Sequence, residues 1–241
     1  MADTVMGKPR PRRRDRNHIL AALGPSDYRR VASKLEAAPF RQRQPIHEPD
    51  GPISHVYFPR SGVASIVTRM SEGGTVEVAT IGNEGIVGLS AYLGNGRSSM
   101  EVFVQIPGEA VRMTSSAFRQ EIRTGTALQD IIRRYTQAFL FQIGQSAACN
   151  RVHPIGQRCA RWLLMSHDRV PGDEFALTQE FLAEMLGVRR ATVTDVAGRL
   201  RRRKLIGYRR GRIHVLDRRS LEIEACECYR LIRSEHEQLV G

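Results

Sequence analysis

The residues with the most evident chemical potential are arginines crowded into one short part of this 241-residue chain. Residues 189–219 contain twelve Lys and Arg and two Asp, a net charge of +10. Guanidinium groups bind phosphate oxygens and can donate two parallel hydrogen bonds to O6 and N7 of guanine. A solvated basic face would have the same composition. The density of charge favours a polyanion, and specifically nucleic acid, as the partner of this segment.

These arginines lie within a pattern of two short helices joined by a tight corner. Thr178 is a favourable N-cap, and apolar residues at helical spacing follow it as far as Gly187. Glycine readily adopts the left-handed conformation that ends a helix. A second apolar pattern then runs from Val188 to Leu200. The pattern predicts a helix-turn-helix, whose second helix enters the major groove of DNA and contacts base edges with its N-terminal residues.

The second helix and the segment after it supply the predicted DNA contacts. Two β-rich runs flank Gly211 and predict a hairpin, or wing, with arginines on both sides. Base readout is predicted for polar residues on the outer face of the helix, with Arg190 as the main guanine reader: Arg189, Arg190, Thr194 and Asp195. Phosphate contacts are predicted for hydroxyl and guanidinium groups around this face: Thr178, Thr192, Arg199, Arg209, Arg210 and Arg212.

The overall composition is that of an ordinary folded protein with a basic excess. Hydrophobic residues make up 41%, charged residues 26%, and the formal net charge is +12. No apolar run approaches the roughly 20 residues of a membrane span, and no signal peptide is evident. We therefore expect a cytoplasmic protein with no membrane partner. Residues 1–16 are rich in arginine and poor in apolar residues, which predicts a basic disordered tail.

Residues 17–125 change from helical to β-type patterning. A helical lead-in begins after Asn17, and short β-rich runs bounded by Gly, Pro, Asn and Ser follow from about Pro45. The spacing of these runs predicts an antiparallel β-roll that forms a sensor-like domain. Its glycine-rich stretch, residues 82–96, could hold a phosphate with backbone amides, or could form tight structural turns.

The pattern of residues 126–152 predicts one long helix followed by a hinge. A DNA-binding domain is predicted for residues 153–241. Thr126 and Gln129 have capping-box spacing at the start of the long helix, and Pro154 disfavours helix at the residue before it. A core helix in a monomer is one reading. A palindromic DNA site calls for two-fold symmetry, so we favour a dimerisation helix. The predicted dimer seam has a rough 3-4 spacing: Leu128, Ile131, Tyr135, Ala138, Gln142 and Gln145.

Metal and enzyme chemistry have little support in the sequence. None of the four cysteines has CxxC spacing. Cys226 and Cys228, if helical, would point to different faces and could not easily share a metal ion, so no metal site is predicted. The chain has no nucleophile elbow, HExxH, Walker motif or carboxylate constellation, and we expect it not to be an enzyme.

The order of these segments, from about Asn17 onward, resembles the Crp/Fnr family of bacterial transcription regulators. Residues 56–62, 81–85 and above all 177–217 carry the resemblance. It implies an α+β fold with a cyclic-nucleotide-binding-like antiparallel β-roll (jelly roll), a long dimerisation helix and a C-terminal winged helix-turn-helix. It also implies a homodimer that binds an inverted repeat in double-stranded DNA and acts on RNA polymerase, either helping or blocking it.

The resemblance is weaker where family members bind effectors or read bases. Nucleotide-binding members use a Gly-Glu pair and an Arg-Ser or Arg-Thr pair, whereas this chain has Gly88-Leu89 and Arg97-Ser98. We take Gly85, Gly88, Arg97 and Ser98 as the candidate effector pocket, but do not expect cyclic AMP binding. Arg190 matches the family position that contacts guanine, while Ala191 and Asp195 replace a common Glu and Arg. The preferred half-site is therefore expected to differ.

Cofactor binding is not expected either. The oxygen-sensing branch of the family ligates an iron–sulfur cluster through cysteines near the N-terminus, and here no cysteine precedes Cys149. We therefore predict no iron–sulfur cluster and no other cofactor. The alternative function is a ligand-binding regulatory protein whose β-roll carries the main activity.

Overall fold

The computed structural model describes residues 16–71, 74–123 and 125–238. The predicted basic tail, residues 1–16, lies outside the described residues except for Arg16. The described chain has the predicted order of a helical lead-in, an antiparallel β-roll, a long helix and a winged helix-turn-helix, so the α+β fold class is confirmed.

The lead-in consists of α1 (His18–Ala21) and α2 (Pro25–Ala32). Asn17 caps α1 by accepting a 3.2 Å hydrogen bond from the amide of Leu20. Its side-chain amide also donates 2.9 Å hydrogen bonds to the carbonyls of Pro59 and Gly85. One buried side chain therefore starts the helix and fastens it to the β-roll.

The β-roll is built from two antiparallel sheets of order β1-β7-β3 and β2-β6-β4-β5. Side chains alternate across β4, so Ala64 and Ile66 face the core of the roll while Val63 and Val67 join the core of the C-terminal domain. The elements of the roll are β1 (Glu36–Phe40), β2 (Pro45–His47), β3 (His55–Pro59), β4 (Val63–Arg69), β5 (Thr75–Ile81), α3 (Ser90–Leu93), β6 (Glu101–Ile106), β7 (Gly108–Thr114) and α4 (Ser115–Glu121).

The long helix, α5 (Ala127–Val152), has 26 residues. The hydroxyl of Thr126 accepts a 3.2 Å hydrogen bond from the amide of Gln129, and the Gln129 side chain accepts one from the amide of Gly125. The helix ends at His153, which is extended because Pro154 follows it. The helix therefore begins after the predicted cap at Thr126, and it ends just before the proline that was expected to stop it.

The C-terminal domain places a winged helix-turn-helix between two further helical segments, and its last helix packs against α5. Its three-stranded sheet has the order β8-β10-β9. The elements are α6 (Ile155–His167), β8 (Glu174–Ala176), α7 (Gln179–Leu186), α8 (Arg190–Arg202), β9 (Ile206–Arg209), β10 (Arg212–Val215), α9 (Arg218–Glu224) and α10 (Cys228–Glu237).

Buried polar contacts join the two halves of the chain. The indole of Trp162 on α6 donates a 2.9 Å hydrogen bond to the carboxylate of Glu77 on β5. Burial raises the pKa of Glu77, against the opposing effect of hydrogen bonds from Ser65, Trp162 and Gln105.

Among the described residues, no helix is both long and apolar enough to span a bilayer.

Candidate DNA-binding interface

The helix-turn-helix forms where the local sequence predicts it. The hydroxyl of Thr178 caps α7 by accepting a 3.1 Å hydrogen bond from the amide of Phe181. Gly187 ends α7 in the left-handed conformation, with φ of 64°. Helix α8 starts at Arg190, with Arg189 as its N-cap, and buries Val193, Val196, Ala197 and Leu200. The apolar edge of α8 therefore packs inward and leaves its other face to solvent.

The four predicted base readers are all exposed at the start and outer face of α8. The Thr194 hydroxyl lies 2.9 Å from the side-chain oxygen of Gln179 and 3.1 Å from the carbonyl of Arg190. Thr194 is thus held against α7, whereas the guanidinium groups of Arg189 and Arg190 form no ion pair with any other part of the described chain. Both arginines are available to an incoming ligand.

An open groove of about 480 Å³ continues along α8 toward the wing. Its wall includes Gln179, Asp195, Arg202 and Tyr208. The Tyr208 hydroxyl accepts a 3.1 Å hydrogen bond from the amide of Gln179, which links the wing to the first turn of α7. Gln179, Tyr208 and Arg202 were not among the DNA contacts predicted from the sequence. The signal available for Gln179 was its position directly after a capping threonine.

The residues predicted to contact phosphate lie around this groove and differ in exposure and in ion pairing. Thr178 and Arg199 are exposed, and Thr192 is partly buried beside the corner between α7 and α8. Arg209 and Arg210 are exposed on the wing, where positive φ at Arg210 and Gly211 gives the tight turn between β9 and β10. Arg212 donates to the carboxylate of Glu174 on β8, so its charge is partly neutralised.

The candidate effector pocket is brought together only in part. A cavity of about 210 Å³ between the roll and α5 is lined by Gly88 and Ser98. Gly85 instead packs beneath the Tyr135 ring, and the Arg97 side chain is exposed outside the cavity. The lining includes His47, which the sequence did not suggest. Burial lowers the pKa of His47 to about 4, so this imidazole is neutral at pH 7.

The residues of the predicted dimer seam are largely buried within a single subunit. Five of its six residues are buried, the exception being partly exposed Gln145. Gln142 donates a 2.8 Å hydrogen bond to the Thr80 carbonyl and lies 2.9 Å from Nε2 of His236 on α10. The seam was predicted to be a surface available to a second subunit, but the β-roll and α10 cover this face of α5. The exposed stripe of α5 lies outside this face, with Leu140 62% and Phe141 37% exposed, and Val152, 73% exposed, borders it near the end of the helix.

The expectation that Cys226 and Cys228 could not easily share a metal ion assumed that one helix holds both, and the structure does not place them on one helix. Helix α10 starts at Cys228, so Cys226 lies in the turn before it and is free of the helical constraint. Sγ of each cysteine lies near the end of α5, within a group of side chains that could hold a metal ion: Cys149, His153, Cys226 and Cys228.

Comparisons with known proteins agree with this architecture. A cyclic nucleotide-binding domain model matches residues 38–124, and a Crp-like helix-turn-helix domain model matches residues 157–223. The structure of FixK2 from Bradyrhizobium japonicum is 15% identical, with a TM-score of 0.64, and the match covers 80% of this chain and 98% of that chain. No curated protein sequence matches.

Two further solved structures have the same fold. TTHB099, a CRP family transcriptional regulator from Thermus thermophilus, is 20% identical, with a TM-score of 0.61 and coverage of 78% of this chain and 96% of that chain. The c-di-GMP responsive global regulator CLP from Xanthomonas campestris is 15% identical, with a TM-score of 0.56 and coverage of 80% and 99%.

A sensor-type β-roll joined by a long helix to a winged helix-turn-helix with a basic outer face defines a DNA-binding transcriptional regulator, not an enzyme. The chain belongs to the Crp/Fnr family of transcriptional regulators.

Proposed function

We propose that this regulator binds an inverted-repeat DNA site as a homodimer, with α8 of each subunit in one of two successive major grooves. The observation that carries the proposal is the exposed outer face of α8, where Arg189 and Arg190 precede the groove that leads to the wing. A two-fold dimer presents two such helices to half-sites one helical turn apart.

Base and phosphate contacts divide between α8 and the wing. Arg190, at the first position of α8, is suited to donate two hydrogen bonds to a guanine edge. Arg209 and Arg210 stand at the turn of the β9–β10 hairpin and not on α8, so they suit phosphate contacts beside the groove. The ion pair with Glu174 makes Arg212 a weaker phosphate ligand than its neighbours.

The dimer interface in this proposal is the exposed stripe of α5. Leu140 and Phe141 are apolar, the small residues Gly144, Ala147 and Ala148 continue the exposed side of the helix, and apolar Val152 lies at its edge near the end of α5. A side chain at Gly144 would meet open space within one subunit, so the backbone there is accessible to a second helix. Burial of this stripe against its copy would remove three large apolar side chains from water, which favours association.

The effector proposed for the β-roll is small and mainly apolar. The cavity is lined largely by residues such as Ile66, Ile81 and Phe139, with His47 and Ser98 as buried polar groups. Nε2 of His47 has no hydrogen-bond partner among the described residues and could bind one polar atom of such a ligand. Neither arginine nor lysine is part of the described lining, which does not suit the phosphate of a cyclic nucleotide.

Transcriptional control would follow from contact between the DNA-bound dimer and RNA polymerase. Activation and repression are both consistent with this surface, because the position of the site relative to a promoter decides between them.

Selection of binding sites from random DNA by the purified full chain tests the proposal. The expected result is an inverted repeat with two half-sites about 10 base pairs apart, bound by two subunits. A single half-site bound by one subunit would overturn the dimer proposal. Recovery of no preferred sequence would overturn sequence-specific binding.

A further inference from the structure

Three thiols and an imidazole meet where α10 begins and α5 ends, and the proposed function gives them no role. Sγ of Cys149 lies 3.5 Å from Sγ of Cys226, and Sγ of Cys228 lies 3.5 Å from Nδ1 of His153. The four ligand atoms all lie within 4.8 Å of one another. Cys149 and His153 are four residues apart at the end of one helix, while Cys226 and Cys228 come from the turn that opens another.

The surroundings of the cluster orient its donors. Nε2 of His153 lies 3.2 Å from a carboxylate oxygen of Glu227, so Nε2 can carry the proton and leave the Nδ1 lone pair directed at the thiols. The side-chain amide of Gln145 donates a 3.1 Å hydrogen bond to Sγ of Cys228. A carboxylate behind a histidine and an N–H donor on a sulfur are contacts typical of the second layer of a metal site.

The cluster is buried and has compensating charge nearby. All three cysteines are buried and form a group separate from the two main cores of the chain. Arg158 and Arg161 lie close enough to interact electrostatically with Cys149. Three thiolates and a neutral imidazole around a divalent cation have a net charge of −1, which these arginines would offset.

We propose that Cys149, His153, Cys226 and Cys228 bind one Zn²⁺ ion in a tetrahedral Cys₃His site. Zn–S bonds of about 2.3 Å and a Zn–N bond of about 2.0 Å place neighbouring ligand atoms roughly 3.5 to 3.8 Å apart. The Cys149–Cys226 and Cys228–His153 ligand separations, both 3.5 Å, already match. Binding converts three thiols to thiolates and releases three protons. Several irons with bridging sulfides need more widely spaced ligands, so the spacing favours a single ion.

Packing alone accounts for this arrangement less well. Buried free cysteines can serve as small apolar side chains, as Cys159 does in the core of the C-terminal domain. That role does not require an imidazole nitrogen among the sulfurs or a carboxylate behind it. The ligand set also fills the four positions of a structural zinc site and leaves none open for catalysis.

The position of the site gives it a consequence for DNA binding, which rests on the proposed function. The chain between Cys149 and Cys226 contains the hinge at Pro154 and the whole helix-turn-helix. A metal bond between these residues closes that segment into a loop and ties the DNA-binding domain to the end of α5. Zinc would therefore hold α8 in one orientation relative to the dimer helix.

Metal analysis of the full chain, purified under reducing conditions and dialysed against Zn²⁺, tests the site without DNA. We expect one zinc per chain, and loss of bound zinc in Cys149→Ser and Cys228→Ser. Cys159→Ser is the matched control and should retain the metal, because its thiol is buried elsewhere. Absence of zinc from the wild type, one iron per chain instead, or zinc retained in both cluster variants would overturn the proposal.

A second test avoids loss of a ligand. Glu227→Gln changes an exposed side chain and should lower Zn²⁺ affinity by about 10- to 100-fold while the fold is kept. Co²⁺ added to the metal-free wild type should produce thiolate-to-metal absorption and the visible bands of tetrahedral cobalt. Unchanged affinity in Glu227→Gln, or an octahedral cobalt spectrum, would contradict the proposed coordination. A Cys149–Cys226 disulfide in place of bound metal would also contradict it.

The DNA consequence is measured separately. Removal of zinc by a chelator should weaken binding to the selected inverted repeat on the order of tenfold, and added Zn²⁺ should restore it. Zinc bound at the site without any effect on DNA affinity would overturn its orienting role. Lack of specific DNA binding with and without zinc would count against the proposed function and not against the metal site.

Discussion

The guanidinium group of Arg169 binds both carboxylate oxygens of Glu84, at 2.6 Å from Nη2 and 3.0 Å from Nε. Both side chains are buried, and the pair joins the C-terminal domain to the β-roll. The Arg169 stem packs on Gly82, where any Cβ would collide with it. Glycine at that position therefore gives the arginine room to reach its partner.

The first prediction concerns the strength of this pair. Glu84→Gln should reduce the free energy of unfolding by about 3 kcal/mol, because a buried guanidinium loses its counter-charge. Urea denaturation measures the effect. Glu101→Gln is the matched control, since Glu101 pairs with exposed Arg69, and it should cost about 1 kcal/mol or less. Equal losses of unfolding free energy in the two variants would show that burial does not make the Glu84–Arg169 pair more stabilising than an exposed pair.

The second prediction concerns the pH dependence of the same pair. Burial alone would raise the pKa of Glu84, but the charge of Arg169 and hydrogen bonds lower it to about 2. A depressed pKa means that the stabilisation is complete above the pKa of the unfolded state and is lost as pH falls toward 2. The difference between wild type and Glu84→Gln should shrink below about pH 4.5. A difference independent of pH down to about pH 3 would refute this.

The third prediction separates base contacts from phosphate contacts. Arg190→Ala should cost about 1 to 3 kcal/mol on the selected site and relax the preference at one base pair, because a base-specific donor is lost. Arg210→Ala should weaken binding to all sequences alike and shallow the salt dependence by about one unit. Titrations at several salt concentrations distinguish these effects.

Two further arginines serve as comparisons in that series. Arg212→Ala should have a smaller effect than Arg210→Ala, because Glu174 already neutralises part of its charge. Exposed Arg29 on α2 lies in the lead-in, and Arg29→Ala should leave DNA affinity unchanged. Equal weakening of specific and random DNA by Arg190→Ala, with a changed base preference in Arg210→Ala, would reverse the assigned roles.

The fourth prediction concerns the dimer. Leu140→Glu should separate the subunits, because two carboxylates would face each other across the proposed interface. Leu231→Glu makes the same change at an exposed leucine of α10 and should leave the dimer intact. Light scattering decides between these outcomes. Tyr135→Glu, within the seam predicted from sequence, should instead unfold the chain since Tyr135 is buried. A monomeric wild type at micromolar concentration would contradict the dimer proposal.

The fifth prediction concerns the effector. Cyclic AMP and cyclic GMP should show no micromolar binding in calorimetry, since the described cavity lining has no cation for the phosphate. Arg97→Ala should bind them no differently, because the Arg97 side chain lies outside the cavity. Micromolar binding that depends on Arg97 would show that this arginine turns inward when ligand is present.

Local chemistry in the sequence determined the elements of this protein. The caps at Asn17, Thr126 and Thr178 and the left-handed Gly187 act within one helical turn, so their effects follow from nearby residues alone. Apolar periodicity and the dense positive charge of residues 189–219 likewise predicted a basic helix-turn-helix before any contact was known.

Only the tertiary structure decided which faces those elements bury. The face of α5 predicted as a dimer seam is covered because α10 packs against it, with His236 94 positions after its partner Gln142. The same return of the chain brings Cys226 within 3.5 Å of Cys149, 77 positions earlier. Such pairings depend on many weak contacts between distant surfaces, and neither spacing nor helix propensity records them.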